Sequence, residues 1–182
     1  MRVGILGGGN VGSGLADFWT RAGHEVRVST RDTLRETAEH GDVVVLAVPA
    51  AAIGDVLDSA GPALEGKVLV DATNDLRPEP AGGALEVARR VPAARVVKAF
   101  NTVFAGLYDA VTRAETPPSL VFCGGDEEAK AAVSALIRDA GYEPVDAGPL
   151  ERAPDVEAFA RLVIRLAYDE GRGRFFYRFS AD

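Results

Sequence analysis

The sequence predicts an α/β fold in which a mostly parallel sheet carries helices on both faces. Three observations lead to this prediction. Short apolar runs rich in β-branched residues alternate with segments of helical spacing along nearly the whole chain. The runs are continuously apolar, as expected of parallel strands buried on both faces. The 182 residues are enough for one large domain with a sizeable core.

The first elements are a strand, a glycine-rich turn, a helix and a second strand. Arg2–Leu6 is a short apolar run, Val11–Ala22 has the apolar spacing of a helix, and Gly23–Val28 leads into another strand. This order is that of a βαβ unit, whose two strands lie parallel in one sheet.

The glycines of the first turn have the spacing G-x-G-x-x-G. We expect Gly7 to permit the tight turn, Gly9 to let the backbone approach a pyrophosphate, and Gly12 to let the helix pack close to the strand. The helix N-terminus, at Asn10 and Val11, would then present N–H groups to the phosphates. Because strand, glycines, helix and second strand occur in the required order, we predict a Rossmann-type dinucleotide site.

The end of the second strand indicates which dinucleotide binds. Domains selective for NAD usually carry Asp or Glu there, whereas this chain has Thr30 followed by Arg31. A carboxylate would repel a 2′-phosphate, but a hydroxyl and a guanidinium can bind it through charge-assisted hydrogen bonds. Arg35 would add a second positive charge. We therefore predict NADP as the cofactor; the alternative is that Arg31 is a solvated loop cation beside Asp32.

The alternation of strands and helices continues through most of the chain. Further strands are predicted at Asp42–Val48, Lys67–Asp71, Arg95–Lys98, Ser119–Cys123 and Tyr142–Asp146, and helices at Thr33–His40, Ala50–Ala60, Ala84–Val91, Thr102–Ala110, Asp126–Ala140 and Asp155–Asp169, with a long loop at Ala72–Gly83. We predict an NADP-binding Rossmann domain over residues 1–150. Residues 151–182 would form a dependent C-terminal helix and an aromatic tail that adds a strand or covers a ligand.

Composition excludes several classes of protein. The net charge of −7 argues against sequence-independent binding to nucleic acid or to an anionic membrane. The longest apolar run, Val43–Ile53, is too short to span a bilayer, and the first strand leaves no room for a signal peptide, so we predict a cytoplasmic protein. Cys123 lies in an apolar run and is predicted to be a buried structural thiol. The apolar segment Phe175–Phe179 suggests a homodimer.

Chemistry is expected in the loops after the third, fourth and fifth strands, where a sheet of this kind holds its ligands. These loops supply Val48 and Pro49, then Asn74, then Asn101 and Thr102. Asn and Thr can hydrogen-bond a carboxamide or a ring carbonyl without titrating, which is enough if the enzyme only positions two rings for hydride transfer. Turn formation and helix capping are the alternative roles of these side chains.

Groups for acid–base or metal chemistry are scarce. Lys98 could act as a general acid or form a buried pair with Asp71. We expect His24 and His40 to be structural or to face solvent. No spacing of His, Cys and acidic residues indicates a metal site.

Three segments together resemble the NADPH:coenzyme F-420 oxidoreductase family. They are Gly7–Gly12 with Thr30–Arg31, then Val97–Thr102, and then Cys123–Lys130 leading to Pro144–Leu150. The resemblance implies an NADP-dependent oxidoreductase that passes hydride between NADPH and coenzyme F-420 or a related flavin. It also implies that Val103, Phe176 and Tyr177 border the small-molecule acceptor, together with the third-strand loop and Asn101.

The chain departs from the family pattern mainly on the acceptor side. Ala50 stands where the family often has Trp, Asp75 follows Thr73-Asn74 where the family often has Pro, and Glu151–Pro154 replaces a segment that commonly leads to Asn-Ala-Arg. A flavin, a quinone or another acceptor therefore stays open. An NADPH-binding sensor or interaction module without hydride transfer is the alternative function. Hydroxyacid and pyrroline reductases are disfavoured, because only residues 151–182 remain for the helical domain they need.

Overall fold

In the computed structural model, which describes residues 1–75 and 83–180, a seven-stranded sheet forms the centre of the molecule. Its strands are β1 (Arg2–Leu6), β2 (Glu25–Val28), β3 (Val43–Leu46), β4 (Val68–Asp71), β5 (Arg95–Lys98), β6 (Ser119–Gly124) and β7 (Glu143–Asp146). The spatial order is β2-β1-β3-β4-β5-β6-β7. All neighbouring strands are parallel except β5 and β6, which pair antiparallel.

Helices cover both faces of the sheet. They are α1 (Asn10–Arg21), α2 (Leu34–His40), α3 (Ile53–Ala60), α4 (Ala84–Arg90), α5 (Tyr108–Val111), α6 (Glu127–Asp139) and α7 (Ala153–Tyr168). One apolar core lies under α1, α5 and α6, and the other lies under α2, α3, α4 and α7. The predicted fold class, a doubly wound and mostly parallel sheet, is confirmed.

The continuously apolar strands follow from this arrangement. Val43 and Val45 point into the core under α1, and Val44 and Leu46 point into the opposite core. Because successive side chains alternate between two buried faces, every position of β3 is apolar.

The segment after β5 is not the predicted helix Thr102–Ala110. Residues 101–103 form a turn, Ala105–Leu107 form a single 3-10 turn, and α5 has only four residues. Phe100, just before this segment, has a left-handed backbone with φ of 65°. Asn101 and Thr102 make hydrogen bonds outside the segment, and these tertiary contacts override the helical spacing. The helix predicted at Ala50–Ala60 likewise begins as a 3-10 turn, so α3 starts at Ile53.

The C-terminal tail (residues 169–180) contains no strand, contrary to one of the two predictions for it. Its backbone crosses the start of β6, where the Ser119 N–H donates to the Tyr177 carbonyl at 2.9 Å and the Phe179 N–H donates to Ser119 Oγ at 2.9 Å. Two isolated bonds do not form a ladder. The Tyr177 ring packs against Phe159 of α7, with centroids 5.0 Å apart, so the tail lies on its own chain.

Two further predictions concern the described residues. None of the helices formed by residues 1–75 and 83–180 is both long and apolar enough to cross a membrane. Cys123 is a buried free thiol, as predicted, and burial raises its pKa to about 11. Of the predicted loop Ala72–Gly83, residues 76–82 lie outside the described part of the chain.

Candidate functional site

Two adjoining cavities lie at the carboxyl ends of the parallel strands. The first, which we call the glycine-turn cavity, has a volume of about 250 Å³. It is lined by Gly9, Asn10, Val11, Ala47, Val48, Pro49, Ala72, Thr73 and Asn74. The second, the α7 cavity, has a volume of about 210 Å³. It is lined by Asn74, Asn101, Thr102, Val103, Phe104, Ala105, Ala160, Val163, Ile164 and Tyr168. Asn74 lines both, so the two cavities meet at its side chain.

The three glycines of the first turn have different surroundings. Gly7 has φ of 118°, and a Cβ there would lie 2.3 Å from the Ala47 carbonyl oxygen. A Cβ on Gly12 would lie 1.9 Å from the Gly7 carbonyl oxygen, so α1 can pack this close to the turn only with glycine. A Cβ on Gly9 would meet nothing within 4 Å. Gly9 therefore borders open space at the N-terminus of α1, where phosphates bind in folds of this kind.

The predicted 2′-phosphate residues lie on the exposed turn after β2. The Thr30 N–H and hydroxyl both bond Thr33 Oγ1, at 2.9 and 3.0 Å, which fixes the shape of the turn. Arg31 is exposed and has no ion-pair partner among the described residues. The Arg35 Nε pairs with Glu39 at 2.9 Å on the surface of α2, an exposed pair that a stronger anion can replace.

Asn101 is held almost out of solvent at the junction of the two cavities, with only 3% of its surface exposed. The Asn74 Nδ2 donates to the Asn101 carbonyl at 2.7 Å, and the Asn101 Nδ2 donates to Asn74 Oδ1 at 3.4 Å. The Asn101 Oδ1 is buried and has no hydrogen-bond partner within the described residues. A buried acceptor normally finds a donor, so this oxygen is one of the few exceptions among the described residues.

Two features of the preceding residue place Asn101 there. Phe100 is buried in a left-handed backbone conformation, and its ring packs edge to face on Trp19 at 5.5 Å. Such a conformation is costly for a non-glycine residue and persists only where its surroundings enforce it. The packing on Trp19 of α1 is such a constraint, and it turns the chain so that the next residues reach the cavities.

Lys98 is used in a buried ion pair. Its Nζ donates to Asp71 Oδ2 at 2.9 Å and to the Thr73 carbonyl at 2.7 Å, and it lies 3.5 Å from Glu157 of α7. Both Lys98 and Asp71 are almost fully buried. Of the two predicted roles, the structure shows the buried pair. Lys98 therefore joins β4, β5 and α7, and its ammonium group is enclosed by these partners.

The predicted acceptor residues are only partly brought together. Val103 lines the α7 cavity. Phe176 is 37% exposed, and neither Phe176 nor Tyr177 is among the residues that line the cavity. The tail aims the Tyr177 hydroxyl at Thr102 instead, 2.6 Å from its Oγ1. Phe176 and Tyr177 therefore do not line the cavity as predicted. Of the tail rings, Phe175 contacts Phe104 of the cavity wall at 6.0 Å, whereas Tyr177 packs against Phe159 of α7.

Helix α7 forms one wall of the α7 cavity, which was not predicted from the sequence. Ala160, Val163 and Ile164 give the α7 cavity an apolar side, and Phe104 and Tyr168 close it with rings 6.0 Å apart. The sequence contains one signal for this wall: the apolar residues of α7 cover a wider part of the helix surface than is needed to bury one face against the sheet. Among the described residues, no cluster of His, Cys, Asp and Glu could hold a metal ion.

A larger cavity of about 400 Å³ lies elsewhere, between the end of α3 and the segment before β5. That segment precedes the strand, so the cavity is at the amino edge of the sheet, opposite the glycine turn. Its guanidinium, Arg90, is already engaged by Glu86 and Asp58. We therefore place the candidate site in the two smaller cavities, where the predicted residues converge.

Comparisons with known proteins show what the chain is similar to. Residues 2–36 and 29–75 match the family model "NADP oxidoreductase coenzyme F420-dependent". The chain is 28% identical to the F420-dependent NADP reductase of Methanothermobacter marburgensis, over 91% of this chain and 92% of that protein. It is 33% identical to metalloreductase STEAP3 of Rattus norvegicus over 86% of this chain, although the chain spans only 36% of that protein. A crystal structure from Arthrobacter sp. FB24, described provisionally as an F420-dependent NADP reductase, covers the whole of both chains with a TM-score of 0.88 and 27% identity.

Proposed function

We propose that this chain, which is similar to the coenzyme F-420-dependent NADP oxidoreductases, is an NADP-dependent oxidoreductase that transfers a hydride between NADPH and a flavin-like acceptor. The acceptor is coenzyme F-420 or a flavin. The observation that carries this proposal is that the glycine-turn cavity and the α7 cavity meet at Asn74. A nicotinamide in the first cavity would face a ring in the second, as direct hydride transfer requires.

The residues in and around the first cavity fit NADPH. Gly9 leaves space for the pyrophosphate at the N-terminus of α1, and Thr30 with Arg31 lies on the turn after β2, where the adenosine ribose is bound in this fold. Val48 and Pro49 form an apolar wall beside the turn. The unpartnered Asn101 Oδ1 can accept a hydrogen bond from the nicotinamide carboxamide. The bound nucleotide supplies the hydride, and these side chains set its position.

The α7 cavity suits an uncharged planar ring. None of the described residues that line it is acidic, basic or a cysteine. Apolar side chains of α7 form one side, and the polar groups of Asn74, Asn101 and Thr102 form the other. This is the usual composition of a site that binds an aromatic ligand by its face and orients it by its edge.

The chain supplies alignment rather than proton transfer in this mechanism. The hydrogen bonds of Lys98 go to Asp71 and to the Thr73 carbonyl. The side chains of Asn101 and Thr102 do not titrate in the ordinary pH range. Hydride transfer between two stacked rings needs close approach and orientation, which the two cavities can provide without an obligatory acid or base.

An acceptor screen tests the proposal. Purified protein is mixed with NADPH and with coenzyme F-420, FMN, FAD or a quinone, and NADPH oxidation is followed by absorbance. We expect turnover with at least one flavin-like acceptor, and none in the variant Gly9→Val. If the protein binds NADPH but oxidises it with none of these acceptors, the alternative function, a sensor or interaction module, replaces this one.

We also propose a homodimer and treat residues 151–182 as part of the NADP-binding unit. Phe176 and Phe179 of the tail are 37% and 55% exposed, more than is usual for large apolar side chains in one short segment. The rest of the tail packs on its own chain. Light scattering is expected to give twice the chain mass of 19.1 kDa. A mass equal to that of one chain would contradict the homodimer, and the tail would then have only its contacts within its own chain.

A further inference from the structure

One side chain of the C-terminal tail makes a hydrogen bond to a residue of the candidate site. The Tyr177 hydroxyl lies 2.6 Å from Thr102 Oγ1, although 75 positions separate the two residues. Edge-to-face contacts hold the Tyr177 ring between Phe159 of α7 and Phe179, at 5.0 and 5.9 Å. Thr102 is itself 1% exposed and lines the α7 cavity. The tail is therefore fixed to the wall of the cavity rather than lying over its opening.

The neighbours of Tyr177 set the direction of this hydrogen bond. The Val121 N–H, a donor only, points to the Tyr177 hydroxyl oxygen at 3.5 Å. Burial raises the pKa of Tyr177, so the phenol keeps its proton at neutral pH. A phenol is more acidic than an aliphatic hydroxyl and is the better donor of the two. These features favour donation from Tyr177 to Thr102 Oγ1, which would leave the proton of Thr102 without another acceptor among the described residues.

We propose that Tyr177 is a positioning residue that turns the Thr102 hydroxyl into a hydrogen-bond donor directed at the α7 cavity. This inference rests on the proposed function and adds to it the chemistry that the site recognises. Thr102 offers a donor and the adjacent Asn101 Oδ1 offers an acceptor. The pair matches a ligand edge that carries a carbonyl oxygen beside an N–H group. Both the nicotinamide carboxamide and the pyrimidine edge of a flavin-like ring have such an edge.

Removal of single hydroxyl groups tests the proposal. Tyr177→Phe keeps the ring contacts and deletes the donor, and Thr102→Val deletes the group on which Tyr177 acts. Tyr142→Phe is the matched control, because the Tyr142 hydroxyl is buried, has no partner among the described residues, and belongs to neither cavity. Single-turnover NADPH oxidation is measured with FMN and with coenzyme F-420, and NADPH affinity is measured by fluorescence titration.

We expect Tyr177→Phe to slow hydride transfer about threefold to tenfold, the effect of one hydrogen bond, with NADPH affinity unchanged. The variant Tyr142→Phe is expected to match the unmutated protein. In the double variant, Tyr177→Phe should add nothing to the effect of Thr102→Val, because Tyr177 acts through Thr102. An unchanged rate in Tyr177→Phe, or effects that multiply in the double variant, would overturn the proposal.

Hydrogen–deuterium exchange provides a readout that needs no acceptor. We expect Tyr177→Phe to raise exchange in the peptide spanning residues 99–107, and Tyr142→Phe to leave it unchanged. Unchanged exchange in Tyr177→Phe would overturn the positioning role whether or not the protein reduces an acceptor. Faster exchange together with no NADPH oxidation by the unmutated protein would support the role of Tyr177 and overturn the proposed function alone.

Discussion

At the scale of single residues, the glycines of the first turn differ in role: two of them are required by the fold, and the third leaves space for a ligand. Gly7 and Gly12 each face a carbonyl oxygen so closely that a Cβ would overlap it. Gly9 has an extended backbone, with φ of −75° and ψ of −173°, which any residue can adopt, and it faces open space. Folding therefore does not require glycine at position 9, whereas close approach of a pyrophosphate does.

The variant Gly9→Val is expected to stay folded and to lose binding of both NADPH and NADH, because the branched side chain would fill the space of the phosphates. Calorimetric titration with each nucleotide and a thermal unfolding curve check the two halves of this prediction. Gly125→Val is the matched control, since Gly125 also has nothing within 4 Å and should tolerate the change without effect on binding. Normal NADPH binding by Gly9→Val would contradict the placement of the phosphate turn.

Arg31 is expected to select NADPH over NADH, because it is exposed, unpaired among the described residues and adjacent to Thr30. Loss of one charged hydrogen bond costs about 1.5–3 kcal/mol, so Arg31→Ala should weaken NADPH roughly 10- to 100-fold and leave NADH nearly unchanged. Arg21→Ala, at the far end of α1, is the control and should change neither affinity. Equal affinities for NADPH and NADH in the unmutated protein would refute this assignment.

At the scale of elements, the order of strands and helices could be predicted because apolar periodicity depends on burial within one element. The shape of the segment after β5 could not be predicted in this way. It depends on the left-handed backbone of Phe100 and on the contact of Thr102 with Tyr177, which lies 75 positions later in the chain. The α7 wall was missed for a related reason. Helical spacing identifies α7 as amphipathic but does not show that Val163 and Ile164 face a cavity rather than the core.

The ion pair of Lys98 and Asp71 is expected to hold three elements together rather than to move protons. Lys98→Met keeps the apolar stem but leaves the buried Asp71 without a counter-charge, so it should lower the free energy of unfolding by about 3–5 kcal/mol. Arg2→Met is the control, because the Arg2–Asp42 pair is half exposed, so solvent screens it and its loss should change the free energy of unfolding much less. Urea unfolding of both variants checks the contrast; equal losses would contradict a special role of the buried pair.

At the scale of the whole molecule, the candidate site is assembled from distant parts of one chain. The glycine turn after β1, the loops after β3, β4 and β5, and helix α7 all meet at two cavities joined by Asn74. The sheet brings the loops together because the carboxyl ends of its parallel strands share one edge. The nucleotide side could be predicted from local motifs, whereas the acceptor side needed the packing of α7, which no local motif encodes.

Single-turnover hydride transfer measured across pH tests the central claim most directly, namely that alignment of two rings is the main contribution of the protein. We expect the rate of the unmutated protein to change less than about threefold between about pH 6 and about pH 9, because none of the described residues on the cavity walls is acidic, basic or a cysteine. Asn101→Ala should lower the rate roughly 10- to 100-fold, with little change in NADPH affinity. A steep pH dependence that disappears in Lys98→Met would contradict the account and identify Lys98 as a general acid.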